Sequence, residues 1–298
     1  MEIVHTISDI RQFLRQAPLK GKGIVLVPTM GALHDGHVSL IRRAKELGGP
    51  VVLWIFVNPL QFNNPEDLAR YPRVFAQDCD IAKAEGVDVI FSPTVDEIYP
   101  WTQGATVTST ELGGKESKYK PCRVLAGSRS EGLCGATRPG HFDGVVNVIS
   151  IFFNIIRPAI AVFGEKDFQQ VRVVEQLVKD LAFDIQIVRA PIIRDSDSLA
   201  LSSRNVLLSA EERYHALFIP KTLLGAKELV AKGEKSVAKI LQYVTTNLER
   251  SGGLKIDYVE IVDSDDLHPI VGGISDKSQL LVAAFAGKVR LIDNIALT

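Results

Sequence analysis

The sequence predicts an α/β protein built on a parallel sheet, with a smaller α+β domain after about residue 190. Three observations lead there. Short β-branched and apolar runs alternate with helical patterns through the first part of the chain, which is how strand–helix–strand units read. Several of those runs are continuously hydrophobic, as strands covered by helices on both faces are. Beyond residue 190 the alternation gives way to two helical stretches and then strands.

In chain order, strands are expected at Gly23–Pro28, Val51–Val57, Asp88–Ser92, Ala159–Gly164 and Asp184–Val188. Helices are expected near His37–Leu47, Val74–Glu85, Asp143–Ile156 and Asp167–Ala182. The first 16 residues are amphipathic and charged, unlike a signal segment. Gly113–Gly140 keeps no period and is rich in Gly, Lys, Arg and Ser. It is too long for a plain connection, so it reads either as a mobile flap or as a disordered surface insertion. The second domain should hold helices at Glu211–Val230 and Ser236–Ser251. Its strands should lie at Leu254–Val262 and Leu280–Phe285, the latter turning at Ala286–Gly287 into Lys288–Ile292. The expected domains are therefore 1–190 and 191–298.

Charge narrows the function classes. Lys plus Arg number 34 against 35 acidic residues, a formal charge of −1, so the chain carries no basic footprint for nucleic acid. The longest apolar stretch, Val145–Ile156, is interrupted by Asn147, Ser150 and Asn154, so no membrane span is expected. Cys79, Cys122 and Cys134 form no C-x-x-C pair, which favours a reducing compartment over a disulfide framework. A soluble cytoplasmic protein is the expectation.

Four polar clusters could carry chemistry. Pro28–His37 (PTMGALHDGH) sits where the first expected strand ends, and ligands of open α/β sheets bind beyond such ends. Gly31 and Gly36 would let backbone approach a phosphate, and the following helix start offers N–H groups to an anion. His34 and His37, three apart, can point the same way and stabilise charge in phosphoryl or adenylyl transfer. Incidental surface histidines are the bland alternative. Asn58 and Gln61 follow the second strand; their neutral amides suit hydroxyl or carboxylate oxygens, although an Asn-Pro turn is also ordinary loop chemistry. Gly164–Gln170 follows a third strand: Lys166 suits a phosphate, Asp167 can cap a helix, and Gln169 or Gln170 could face a ligand. Ser202, Ser203 and Arg204 would make a triphosphate clamp, or a capped turn. Neutral and cationic groups dominate these clusters, which favours a polyphosphate.

PTMGALHDGH resembles the HxGH signature of the nucleotidyltransferase superfamily, which includes class I aminoacyl-tRNA synthetases. The ordered set PTMGALHDGH, VNPLQF, RPGHFDGV (Arg138–Val145), FGEKDFQQ and LALSSRN is similar to the pantothenate synthetase, or pantoate–β-alanine ligase, family. The resemblance returns more weakly at Leu280–Asn294 (LLVAAFAGKVRLIDN). It implies a Rossmann-like N-terminal domain, a C-terminal lid domain and a homodimer. It implies ATP and Mg²⁺, and condensation of pantoate with β-alanine through a pantoyl adenylate, releasing AMP and pyrophosphate. By the same resemblance His34, His37 and Lys166 are catalytic and, with Ser202, Ser203 and Arg204, hold the triphosphate. Pro28, Thr29, Met30, Gly31, Gly164, Asp167 and Ile193 line the nucleotide; Asn58, Gln61 and Gln170 hold pantoate. Arg138 and His141 fall in the matching segment beside the expected flap. Where the family often has two acidic residues this chain has Gln77–Asp78, which leaves Asp78 as the candidate metal ligand. A synthetase fragment would need a tRNA-binding module and a basic face. A nucleotidylyltransferase is the nearer enzymatic rival, and a nucleotide sensor without turnover is the non-enzymatic one.

Overall fold

A computed structural model describes residues 1–17, 23–102 and 121–298. The chain divides into two compact units, Met1–Glu165 with Val173–Ala190, and Lys166–Arg172 with Pro191–Thr298. The expected flap lies in part, at 113–120, outside the described residues.

The strands of the first unit are β1 (Glu2–Val4), β2 (Val25–Thr29), β3 (Val51–Ile55), β4 (Val89–Phe91), β5 (Ile160–Gly164) and β6 (Gln186–Ala190). They form one six-stranded sheet in the order β1-β4-β3-β2-β5-β6, with every pairing parallel. The helices α1 (Ile7–Gln16), α2 (Asp35–Glu46), α4 (Phe75–Ala84), α7 (His141–Ile156) and part of α8 (Phe168–Asp180) belong to it. Alternation along β3 shows how the sheet is covered. Leu53 packs in a core with Val27, Ile41, Ala44, Ile90 and Val162. The next residue, Trp54, stacks instead on Phe152 of α7, with ring centroids 3.3 Å apart and planes 9° from parallel. Helix α7 is apolar almost all round, as a helix enclosed by its surroundings must be.

The strands expected from apolar runs exist, within a few residues of their predicted bounds. β1 lies outside those expectations: it has only three residues and pairs β4 at the sheet edge through Glu2↔Val89 and Val4↔Phe91. The short helices α3 (Pro65–Arg70), α5 (Val95–Ile98) and α6 (Leu133–Thr137) are likewise too brief to show a period. Within the described part of the expected flap, the chain is fastened to α7. Asn147 exchanges hydrogen bonds with the backbone of Val124, and Asp143 accepts from the N–H of Ala126 at 2.9 Å. Leu133 and Cys134 are buried. Residues 121–140 are thus held by α7 and do not form a free insertion.

The second unit is α+β. Strands β7 (Leu254–Asp263), β8 (Ser278–Ala286) and β9 (Val289–Ala296) form an antiparallel sheet in the order β7-β8-β9. Helices α10 (Phe218–Ala231) and α11 (Val237–Glu249) pack on it through Ile219, Leu223, Ile240 and Val244 against Leu280, Val282 and Ala284. The single helix expected at Glu211–Val230 is two, since α9 (Ala210–Ala216) ends before α10 begins. Pro220 explains the break: it has no N–H to give the carbonyl of Ala216. Among the described residues no helix is long and apolar enough to cross a membrane.

Candidate active site

The strand β2 delivers Pro28–His37 to the carboxyl end of the parallel sheet. The loop there is strained. Gly31 has φ +80°, and a Cβ on it would sit 2.9 Å from Asp78 Oδ2 and 3.1 Å from the Ile55 side chain. Ala32 follows at φ +50°, a conformation that costs a residue with a side chain about 1–3 kcal/mol. Asp78, only 1% exposed, holds it: its carboxylate accepts from the N–H of Ala32 at 3.0 Å and of Leu33 at 2.7 Å. Thr29 fixes the near side, donating to Trp54 O at 2.8 Å and accepting from the N–H of Gly31 at 3.2 Å. A cavity of ≈ 290 Å³ opens at this end of the sheet, lined in part by Met30, Gly31, Phe56 and Arg73.

That makes Asp78 a brace of the loop. Both its oxygens face backbone donors. Burial pushes its carboxyl above the usual carboxylate range while the two N–H groups pull the other way. Among the described residues no group of three or more His, Cys, Asp or Glu side chains could hold a metal ion. Asp78→Asn is expected to lower stability by about 1–3 kcal/mol, because an amide must turn its NH₂ towards one of the two donors. Denaturant unfolding checks this.

His34 is the N-cap of α2, and its Nδ1 accepts from the N–H of Gly36 at 3.1 Å. His37, in the third position of the helix, completes a reciprocal capping pair by accepting from the N–H of His34 on its own Nδ1 at 3.3 Å. The rings lie 4.1 Å apart, tilted by 42°. An imidazole nitrogen that accepts carries no proton, so each neutral ring bears its hydrogen on Nε2. The caps therefore set two histidines as Nε2–H donors at a helix N-terminus, where the backbone already favours an anion.

The turn after β3 is organised from far along the chain. Asn58 is 1% exposed. Its Nδ2 donates to Gln61 Oε1 at 3.0 Å and to Gly144 O at 3.1 Å; its Oδ1 accepts from Leu60 N–H at 3.3 Å and from the Tyr99 hydroxyl at 2.9 Å. All of its bonding capacity is thereby spent inside the protein, which argues against direct contact with a ligand. Burial holds the Tyr99 hydroxyl protonated far above its usual range, so it remains a donor to Asn58. With Gln61 Oε1 occupied, Gln61 Nε2 is turned to Met30 Sδ at 3.2 Å. The Gln61 carbonyl accepts from Arg138 Nη2 at 3.0 Å and from His141 Nδ1 at 2.7 Å. Met30, Asn58 and Gln61 are thus brought together, with Arg138 and His141 serving as supports of the turn. Tyr99 and Gly144 are members of this network that sequence reasoning did not identify.

Gly164 ends β5, and the turn Glu165–Asp167 leads into α8. In the second unit the Lys166 ammonium lies 3.7 Å from the Asp167 carboxylate. Gln169 is buried and Gln170 partly exposed, which separates the two glutamines that the sequence left equivalent. Ile193 accepts from the N–H of Leu201 at 3.0 Å, closing a hairpin that sets it near Ser202–Arg204. Arg213 ties that hairpin through Asp195 and Asp197 at 2.6 and 2.8 Å. Ser202 Oγ accepts from the N–H of Arg204 at 3.2 Å, so the turn is capped and its hydroxyl proton is directed elsewhere.

The family model for pantoate-beta-alanine ligase matches residues 2–296. The pantothenate synthetase of Fervidobacterium nodosum is 45% identical over 295 residues, 99% of each chain. That of Thermotoga petrophila is 44% identical over 297 residues, 100% of each. Among solved structures, the pantothenate synthetase of Thermus thermophilus superposes with a TM-score of 0.87 at 37% identity, covering 100% of this chain and 99% of that one. The pantoate-beta-alanine ligase of Francisella tularensis, complexed with beta-gamma ATP and beta-alanine, gives 0.76 at 31% identity, covering 100% and 98%.

Proposed function

The chain belongs to the pantoate–β-alanine ligase family, and we propose that it joins its substrates through a pantoyl adenylate. The reaction is the ATP-dependent condensation of pantoate with β-alanine to pantothenate. In the proposed sequence a pantoate carboxylate oxygen attacks the α-phosphorus of ATP. The bond from that phosphorus to the bridging oxygen breaks, and pyrophosphate leaves with its electron pair. The β-alanine amine then attacks the acyl carbon, AMP departs, and the nitrogen loses a proton. Adenylation is needed because a carboxylate is a poor acyl electrophile and AMP is a good leaving group.

The observation that carries this reading is the tautomer set by the helix cap. With each Nδ1 accepting from backbone, His34 and His37 offer Nε2–H to phosphate oxygens whose charge grows during attack. Lys166, Ser202, Ser203 and Arg204 would add cationic and hydroxyl donors to the triphosphate. Pro28, Thr29, Met30, Gly31, Gly164, Asp167 and Ile193 would line the nucleotide. Gln61 and Gln170 would hold the oxygens of pantoate, and Asn58 would serve that site by orienting Gln61. Mg²⁺ would arrive as the magnesium complex of ATP, held by the phosphates. We further read the protein as a cytoplasmic homodimer, with small-molecule partners, pantoate, β-alanine and ATP, and neither nucleic acid nor a membrane. We read residues 1–190 as the nucleotide- and pantoate-binding domain and residues 191–298 as the lid domain.

The half-reactions test this directly. Enzyme with ATP and pantoate alone should release pyrophosphate and retain a non-covalent acyl adenylate, with AMP appearing only after β-alanine is added. A pantoyl group attached to the protein by mass spectrometry, or ADP as product, would sink the mechanism.

A further inference from the structure

The stretch Leu280–Asn294 ends in two adjacent buried polar residues on β9, Asp293 at 3% exposure and Asn294 at 4%. Buried polar side chains persist because partners satisfy them, so their partners show what they are for. Asp293 takes the guanidinium of Arg194 on both oxygens, at 2.7 and 2.8 Å, and so grips the base of the hairpin that carries Ile193. Asn294 reaches a different segment. Its Nδ2 donates to the main-chain carbonyl of Lys166 at 3.1 Å, and its Oδ1 accepts from Gln279 Nε2 on β8 at 2.7 Å.

The orientation of both amides follows from one fact. A backbone carbonyl only accepts, so the Asn294 atom facing Lys166 must be its NH₂. The other end is then oxygen, and Gln279 must meet it with a donor. Gln279 is itself buried, at 7% exposure. The two amides form a rigid relay from the three-stranded sheet to the turn from which the Lys166 side chain springs.

We infer that Asn294 is a positioning residue for Lys166, with Gln279 setting the orientation of the Asn294 amide. The inference rests on the reading of Lys166 as the cation facing the triphosphate. Its physical basis is that a charge displaced by about 1 Å from the reacting phosphorus can lose up to 10²-fold in rate.

A double-variant cycle tests it. Asn294→Asp is nearly isosteric and can still accept from Gln279, but sets an oxygen against the Lys166 carbonyl. It should lower the rate of pantoate-dependent pyrophosphate release about tenfold, within that range. The same substitution added to Lys166→Ala should cost nothing further, because the group it positions is gone. An unchanged rate in folded Asn294→Asp, or full additivity in the double variant, overturns the inference. An active Lys166→Ala instead overturns the reading of Lys166 itself. Gln279→Glu covers the case in which Asn294→Asp does not fold: it should flip the Asn294 amide and be judged by the same cycle.

Discussion

His34→Asn and His37→Gln are each expected to slow pyrophosphate release from ATP and pantoate by about 10²–10³-fold while leaving the fold nearly as stable as before. The substitutions are chosen to separate the capping that each histidine performs from the charge stabilisation proposed for it. His34 caps α2 through Nδ1, and His37 closes the cap from the third position. Asparagine is a strong N-cap, and glutamine is the usual partner in a capping box, so both keep the structural job. Neither places a donor where imidazole Nε2–H lies. Alanine at position 34 would lose both, adding about 0.5–2 kcal/mol of lost cap to the lost rate. Steady-state rates beside thermal unfolding check the split. If the capped variants kept near-normal adenylation, the histidines would be caps alone and the charge-stabilising role would fall.

The sequence showed the sheet because its strands are buried on both faces, and short continuous runs such as VVLWI at Val51–Ile55, rich in β-branched residues, fit strands covered on both sides. It could not show β1, whose three residues sit at the edge with two exposed. Apolar periodicity runs through Pro220 without a gap, and so joined α9 to α10. The candidate site was legible as local motifs, because His34 and His37 share one helical turn and Asn58 lies three residues from Gln61. What holds those motifs was hidden by distance along the chain. Asp78 braces a loop 45 residues before it, and His141 supports a carbonyl 80 residues before it. Short motifs give residue types; only the fold tells whether a polar atom faces a ligand or a neighbour. Asn58 is the clearest case, since its residue type suited pantoate and its four bonds are all internal.

Lys166→Ala is expected to lower adenylate formation by about 10²–10³-fold and to spare the second half-reaction when pantoyl adenylate is supplied directly. The asymmetry is the point of the experiment. Negative charge builds on the departing pyrophosphate only in the first step, so in the proposed role a fixed ammonium would stabilise that transition state and would have no equivalent task when AMP leaves. Its neighbouring carboxylate does not cancel it: Asp167 is 49% exposed and 3.7 Å away, a solvated pair worth little. Lys166→Arg should recover only part of the loss. A planar fork spreads its charge and needs bidentate acceptors, whereas the lysine stem delivers a compact charge from a turn held by Asn294. Rapid-quench measurement of each half-reaction in the three proteins decides the matter. Equal slowing of both steps by Lys166→Ala would mean that the turn, and not the charge, had been damaged. Full activity in Lys166→Arg would mean that any nearby positive charge suffices.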